Sequence, residues 1–79
     1  MVDQILLNEI KRSLLAGHTA EVSGDDSKAR DARARAGRLL AGVRCTATPA
    51  VWNRACNAVG LGIDTAERLI QLAQRPQAA

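Results

Sequence analysis

Aromatic residues are almost absent from this sequence, which contains no Phe, no Tyr and a single Trp, Trp52. Strands are enriched in aromatic and β-branched residues, so this shortage disfavours a β-sheet. Apolar residues still make up 47% of the 79 residues, and many of them are Ala, a strong helix former. The composition therefore predicts an all-α fold whose core volume comes mainly from Leu, Ile and Val.

Groups that carry out catalysis or bind metals are also scarce. His18 is the only histidine, and Cys45 and Cys56 lie eleven residues apart, which matches no zinc-binding spacing. No serine is accompanied by a nearby base that could activate it, and no paired carboxylates indicate acid–base chemistry. The sequence therefore predicts no enzymatic activity, no cofactor and no metal site.

Long apolar runs are missing as well, and none approaches the roughly 20 residues that a helix needs to span a bilayer. The first residues also lack the apolar stretch behind a basic end that marks a secretory signal. These absences predict a cytoplasmic protein without a membrane partner, in which both cysteines are reduced and mostly buried. The short chain predicts one helical domain over residues 1–79, with a frayed tail at about 76–79.

An amphipathic first helix is predicted at about 2–16, ending near Gly17. Residues 17–26 are rich in turn formers and are expected to form a loop. The apolar stripe of this helix consists of Val2, Ile5, Leu6, Ile10 and Leu14, widened by Leu7 and Leu15. A stripe this wide predicts cover from two sides, by the rest of the fold or by a second copy, so we expect a homodimer.

The second helix is predicted at about 25–42, with Asp25 and Asp26 at its positive dipole end. Gly37 either weakens this helix by roughly 1 kcal/mol relative to Ala or marks a close helix crossing. The positions expected to face inward are Ala29, Ala32, Ala36, Leu39, Leu40 and Val43.

Two shorter helices are predicted at about 49–58 and 64–75. Thr48 followed by proline is a start signal for the first, and Asp64 and Glu67 have the spacing of a capping box for the second. Their buried residues are expected to be Val51, Trp52, Ala55 and Cys56 or Val59, and then Ala66, Leu69, Ile70 and Ala73. The four helices predict a small four-helix bundle with a C-terminal helical hairpin.

Charge is unevenly distributed along the chain. Residues 1–27 carry five acidic and two basic side chains, giving −3, whereas residues 28–44 carry six basic side chains and one acidic one, giving +5. The basic residues expected to bind nucleic acid or a partner are Lys28, Arg30, Arg33, Arg35, Arg38 and Arg44. Three interpretations stay open: a surface that follows phosphates, a solvated helix face, or a face that docks on an acidic protein.

We expect Arg30, Arg33 and Arg38 to lie nearer to one another on this helix than Lys28 and Arg35 do. The basic side chains nevertheless spread over most of the helix surface that Ala does not occupy.

The glycine turn at 59–63, VGLGI, stands between the last two helices. With Gly60, Leu61, Gly62, Ala66, Leu69 and Ile70 as matching residues, the segment 49–74 resembles the helix-hairpin-helix motif of DNA repair and recombination proteins. The resemblance implies that the hairpin N–H groups approach a DNA phosphate, often with a monovalent cation, while the apolar residue between the glycines anchors the turn. Arg68 is the first basic residue after the hairpin. A glycine corner that only lets two helices pack is the alternative.

The same segment can also be aligned as a helix-turn-helix, with Cys56 at the small-residue position and Gly60 in the turn. The second helix would then present Asp64, Thr65, Glu67, Arg68 and Gln71. Acidic side chains suit base edges poorly, so we do not expect this helix to read a DNA sequence.

Two functions remain. The first is a small nucleic-acid-binding regulator or accessory protein that contacts DNA phosphates without sequence preference. The second is a small interaction protein, of the kind that phages and mobile elements use to inhibit or redirect a host protein complex. The glycine hairpin and the clustered basic residues favour the first.

Overall fold

The computed structural model describes residues 3–74. Within them the chain forms four helices, α1 (Gln4–Val22), α2 (Asp26–Thr46), α3 (Pro49–Ala58) and α4 (Ile63–Gln74). The all-α fold and the small helical bundle are thus confirmed. Helix α2 is central, since it packs extensively against both α1 and α4. The predictions for Val2, for the end of the last helix at 75 and for the frayed tail lie outside the described residues.

Helix α1 continues to Val22, so the prediction that it ends near Gly17 is wrong. Gly17 is buried against α2, where a Cβ at this position would lie 3.5 Å from the Ala32 Cβ atom. Contact with α2 therefore holds the helix together across a residue of low helix propensity. The chain turns instead at Gly24, whose φ of +79° is one that glycine adopts readily.

The buried face of α1 also differs from the predicted stripe. Ile5 and Leu15 belong to the predicted stripe, and the fold leaves them 71% and 65% exposed. Two members of the stripe, Leu7 and Ile10, are buried as predicted, and Leu6 and Leu14 lie at the edge of the core. The other buried residues of α1 are Ser13, Gly17 and Ala20. These three positions carry small side chains, which let α2 approach closely and which a search for large apolar residues overlooks.

Helix α2 begins after Asp25, whose carboxylate accepts a hydrogen bond from the Lys28 N–H at 3.1 Å. Gly37 lies where α2 meets α4, and a Cβ there would lie 2.8 Å from the Leu69 carbonyl carbon and closer still to its oxygen. Only glycine fits this contact, which confirms the close helix crossing. The predicted inward positions are also confirmed, since Ala29, Ala36, Leu40 and Val43 are buried and Ala32 and Leu39 are partly buried.

Helix α3 has the predicted bounds, and the Thr48 hydroxyl accepts a hydrogen bond from the Val51 N–H at 3.3 Å. Helix α4 begins at Ile63, so Asp64 lies inside its first turn and cannot be the N-cap residue. The Glu67 carboxylate lies 2.8 Å from the Arg44 guanidinium of α2. The predicted capping box is therefore wrong, because Glu67 contacts a neighbouring helix rather than the start of its own.

The core joins side chains from all four helices, and its members are Leu7, Ile10, Leu40, Val43, Trp52, Ala55, Cys56, Val59, Ala66, Leu69 and Ile70. The predicted apolar faces of α3 and α4 are confirmed, with Val51 and Ala73 only partly buried. Cys45 is exposed, which contradicts the expectation that both cysteines are buried. Across the described residues, every helix is too short or too polar to cross a bilayer.

Candidate nucleic-acid interface

Half of the predicted basic residues on α2 are paired with carboxylates of the neighbouring helices. Arg33 pairs with Glu21 of α1. The Arg35 guanidinium lies 3.2 Å from the carboxylate of Glu9, which is also on α1. Arg44 forms the pair with Glu67 of α4. These pairs join α2 to both of its neighbours. They also partly neutralise arginines that could otherwise bind a phosphate.

The other half of the set consists of Lys28, Arg30 and Arg38, which are all exposed. No carboxylate of residues 3–74 lies within ion-pair distance of any of the three. Ten residues of helix separate the first from the last, a span of about 15 Å at the α-helical rise. These three cations are therefore not held in ion pairs by the described part of the chain.

The structure does not bring together the three arginines that were expected to lie near one another. Arg35 and Arg38 line one groove between α1 and α2, together with Arg12 of α1. Arg33 was expected near Arg38, but it reaches Glu21 and does not line that groove; at 100° per residue it lies about 140° from Arg38 around the helix, whereas Arg35 lies about 60° from it. The predicted grouping of Arg30, Arg33 and Arg38 is therefore wrong.

Sequence reasoning did not single out Arg12 or Ser13 of this groove. Ser13 is buried, with 6% of its surface exposed, between the apolar turns of α1. The only sequence feature that could have identified Ser13 is its position three residues after Ile10, on the buried side of α1. The many apolar residues around it made this position hard to recognise.

Backbone N–H groups of the glycine hairpin form hydrogen bonds with the last carbonyl groups of α3. Gly60 has a φ of +75° and donates its N–H to the Asn57 carbonyl oxygen at 3.1 Å. The Leu61 N–H bonds to the Cys56 carbonyl oxygen at 2.9 Å, and the Leu61 side chain packs against the core. This arrangement is a Schellman-type helix end, in which Gly60 supplies the left-handed residue.

The start of α4 has no side-chain cap within residues 3–74, whereas Asp3, Asp25 and Thr48 cap the other three helices. The N–H groups of Ile63 and Asp64 have no acceptor among the described residues. A Cβ at Gly62 would meet no atom within 4 Å, so packing does not require glycine there. This end of α4 therefore offers open space and backbone donors to a ligand.

The exposed face of α4 carries Asp64, Thr65, Arg68 and Gln71. Glu67, which the helix-turn-helix alignment placed on this face, is partly buried and paired with Arg44. One acidic residue thus remains beside Arg68 on the surface that such a motif would present to DNA.

Cys56 and His18 are titratable groups that lie outside these surfaces. Burial raises the pKa of the Cys56 thiol, and the negative charge of Glu67 raises it further. His18 is exposed on α1. Residues 3–74 contain no group of three His, Cys, Asp or Glu side chains placed to hold a metal ion.

Comparison with known proteins reveals no relative of this chain. The chain matches no protein-family model, no curated protein and no solved structure.

Proposed function

We propose that this protein binds nucleic acid through backbone phosphates and acts as a small accessory protein or regulator without enzymatic activity of its own. The observation that carries the proposal is the exposed set Lys28, Arg30 and Arg38 on α2, none of which has a carboxylate of residues 3–74 within ion-pair distance. Cations of this kind attract phosphates by releasing the counterions that nucleic acid condenses, whatever its sequence.

The hairpin supports the same proposal as a second phosphate contact. The N–H groups of Ile63 and Asp64 have no acceptor in residues 3–74, and open space surrounds Gly62. Backbone donors at a helix N-terminus bind anions because the helix dipole adds to their hydrogen bonds. The Asp64 carboxylate repels a phosphate at this point, so we expect the α2 cations to contribute more than the hairpin does.

Fluorescence anisotropy with labelled duplex and single-stranded DNA, measured over a salt series, tests this function. The double variant Arg30→Gln with Arg38→Gln should bind all sequences more weakly. Its slope of log affinity against log salt should be shallower by about 1.8, since each lost phosphate contact removes about 0.9. Lys11→Gln with Arg54→Gln is the matched control, because it removes two exposed cations from α1 and α3. Equal slopes for the two double variants would remove α2 as the contact surface.

The hairpin contact has its own variant, Gly62→Ala. A Cβ at this position meets nothing within 4 Å, so the fold should tolerate it, while the methyl group would hinder a phosphate that approaches the backbone. Gly42→Ala is the matched control, since its Cβ also meets nothing within 4 Å. A lower DNA affinity for Gly62→Ala alone supports the hairpin contact, and equal affinities limit the hairpin to a packing role.

A second candidate function is that of an interaction protein acting on a host complex. The observation that favours it is the row of apolar side chains on α1, where Ile5, Leu15 and Val22 are 71%, 65% and 75% exposed. Such a protein would bind no DNA at physiological salt and would co-purify in stoichiometric amount with one partner. Leu15→Gln with Val22→Gln should then abolish co-purification.

A further inference from the structure

A groove of about 640 Å³ separates α1 from α2 beside the cations described above. The polar and charged side chains that line it are Glu9, Arg12 and Ser13 from α1 and Asp31, Arg35 and Arg38 from α2. Its volume lies within the range of about 300–1,000 Å³ that is usual for ligand sites. We refer to it below as the α1/α2 groove.

Ser13 is the polar side chain at the inner wall of the α1/α2 groove. The residue is 6% exposed, and none of the side-chain hydrogen bonds found within residues 3–74 involves its hydroxyl. Its Oγ atom is open to the groove, because Nε1 of Trp52 is the one side-chain polar atom within residues 3–74 that is fully enclosed without a hydrogen bond. A ligand in the groove would supply an acceptor for this hydroxyl.

The arginines of the groove already hold an anionic group between them. The Glu9 carboxylate lies 3.5 Å from the Arg12 guanidinium and 3.2 Å from the Arg35 guanidinium. Arg38 lines the same groove without a carboxylate of residues 3–74 at ion-pair distance. The groove thus combines guanidinium donors, one hydroxyl donor and one cation whose charge is not compensated.

We propose that the α1/α2 groove is a binding site for one phosphodiester group of the nucleic-acid backbone. Arg38 and the Ser13 hydroxyl bind its oxygens, and Arg12 and Arg35 turn from Glu9 toward it. This inference rests on the proposed function and assigns it a defined site.

The charge of the groove favours a phosphodiester over a free phosphate. Three arginines face Glu9 and Asp31, which leaves a net charge of +1. A backbone phosphodiester carries one negative charge and neutralises that excess. A phosphate monoester carries about −1.5 to −2 at neutral pH and would leave negative charge between the two carboxylates.

Two variants test the site without disturbing the fold. Ser13→Ala removes only the hydroxyl and places a better helix former in the middle of α1, so helix formation is not impaired. We expect its DNA affinity to fall by about 2- to 10-fold, as the loss of one hydrogen bond predicts. Ser27→Ala, which removes an exposed hydroxyl from the first turn of α2, is the matched control and should bind as the wild type does.

The second variant, Glu9→Gln, removes the carboxylate that competes for Arg12 and Arg35. We expect tighter DNA binding and a steeper salt slope, because both guanidiniums then reach the phosphate without displacing a charge. Wild-type affinity for both Ser13→Ala and Glu9→Gln, together with weaker binding by Arg30→Gln, would overturn the groove site and leave the proposed function intact.

Failure of the proposed function itself gives a different result, since the wild-type protein would then show no DNA binding in the anisotropy assay. The backbone amide resonances of Ser13, Ala16 and Ala32 during a titration with inorganic phosphate separate the remaining outcomes. Shifts in these resonances without DNA binding would indicate a site for free phosphate and overturn the phosphodiester assignment. With neither shifts nor DNA binding, the groove is not an anion site.

Discussion

The two long sides of α2 are built in different ways. Toward α4, Gly37 brings the backbones of the two helices into direct contact, and a Cβ at this position would lie 2.9 Å from the Ala73 Cβ atom. Toward α1, Gly17 leaves ordinary van der Waals room for a methyl group, and a surface groove lined by charged residues runs between the two helices. The comparison teaches that one glycine is required by packing and the other is not, although both are buried.

The ion pairs of α2 are also distributed unequally between these two sides. The α2/α4 contact has the ion pair between Arg44 and Glu67, whereas Arg33 and Arg35 both reach carboxylates of α1. The α2/α4 contact therefore relies mainly on close packing of the two backbones. The α1/α2 contact relies more on ion pairs, whose arginines a ligand could bind.

The largest effect is expected from Gly37→Ala. The added methyl group would overlap the Leu69 backbone, and overpacking of this kind costs about 1–3 kcal/mol. Urea unfolding followed by circular dichroism measures the loss, with Gly42→Ala as the control in the same helix. Unchanged stability would mean that α4 moves away from α2 at little cost, and the contrast between the two sides would disappear.

Gly17→Ala should have the opposite sign. The new Cβ would lie 3.5 Å from the Ala32 Cβ atom, an ordinary contact, and a helix-interior alanine is favoured over glycine by about 0.5–1 kcal/mol. The same unfolding assay should give a higher midpoint than the wild type. A lower midpoint would show that α1 and α2 are packed as tightly as α2 and α4.

Glu21→Gln probes the charged side through binding rather than stability. Both members of its pair with Arg33 are substantially exposed, so the free energy of unfolding should change by less than about 1 kcal/mol. Arg33 would become available to nucleic acid, and the salt slope should steepen by about 0.9. Asp26→Asn removes one negative charge that has no ion-pair partner within residues 3–74, and it serves as the control for net charge. Equal slopes for the two variants would show that Arg33 makes no phosphate contact.

The smallest effect concerns the two cysteines. Cys45 is exposed and should react rapidly with a thiol reagent, whereas Cys56 is fully buried and should react only on unfolding. Burial raises the pKa of Cys56, so the folded protein keeps this proton at a pH where the unfolded chain, with an ordinary pKa of 9.0, loses it. The stabilisation is complete below about pH 9 and is lost as the pH rises through the folded-state pKa. Thermal melts over that range should fall more steeply for Cys45→Ala, which keeps Cys56, than for Cys56→Ala.

Local signals predicted the fold where local interactions decide it. Thr48 and Pro49 fixed the start of α3, because a hydroxyl cap and a proline at the first helical position act within one turn. The end of α1 could not be found in this way, since contact with α2 overrides the helix-breaking tendency of Gly17. Glu67 had the spacing of a capping residue, yet Arg44 of another helix binds it.

Only the basic residues of the candidate site, and not their arrangement, could be predicted from the sequence. The sequence identified the basic residues of α2 but not which of them are paired, because each pairing carboxylate lies on another helix. The α1/α2 groove depends on the register between two antiparallel helices, which brings Ser13 near Arg38. No spacing within either helix contains that information.

The Glu9 carboxylate between Arg12 and Arg35 has a consequence for kinetics. A phosphate that enters the groove must displace a group that is already bound, and Glu9 remains tethered nearby while the ligand is present. Binding is then an exchange of partners, and the returning carboxylate speeds dissociation. Under the proposed function, this internal competitor would set the residence time of the protein on nucleic acid.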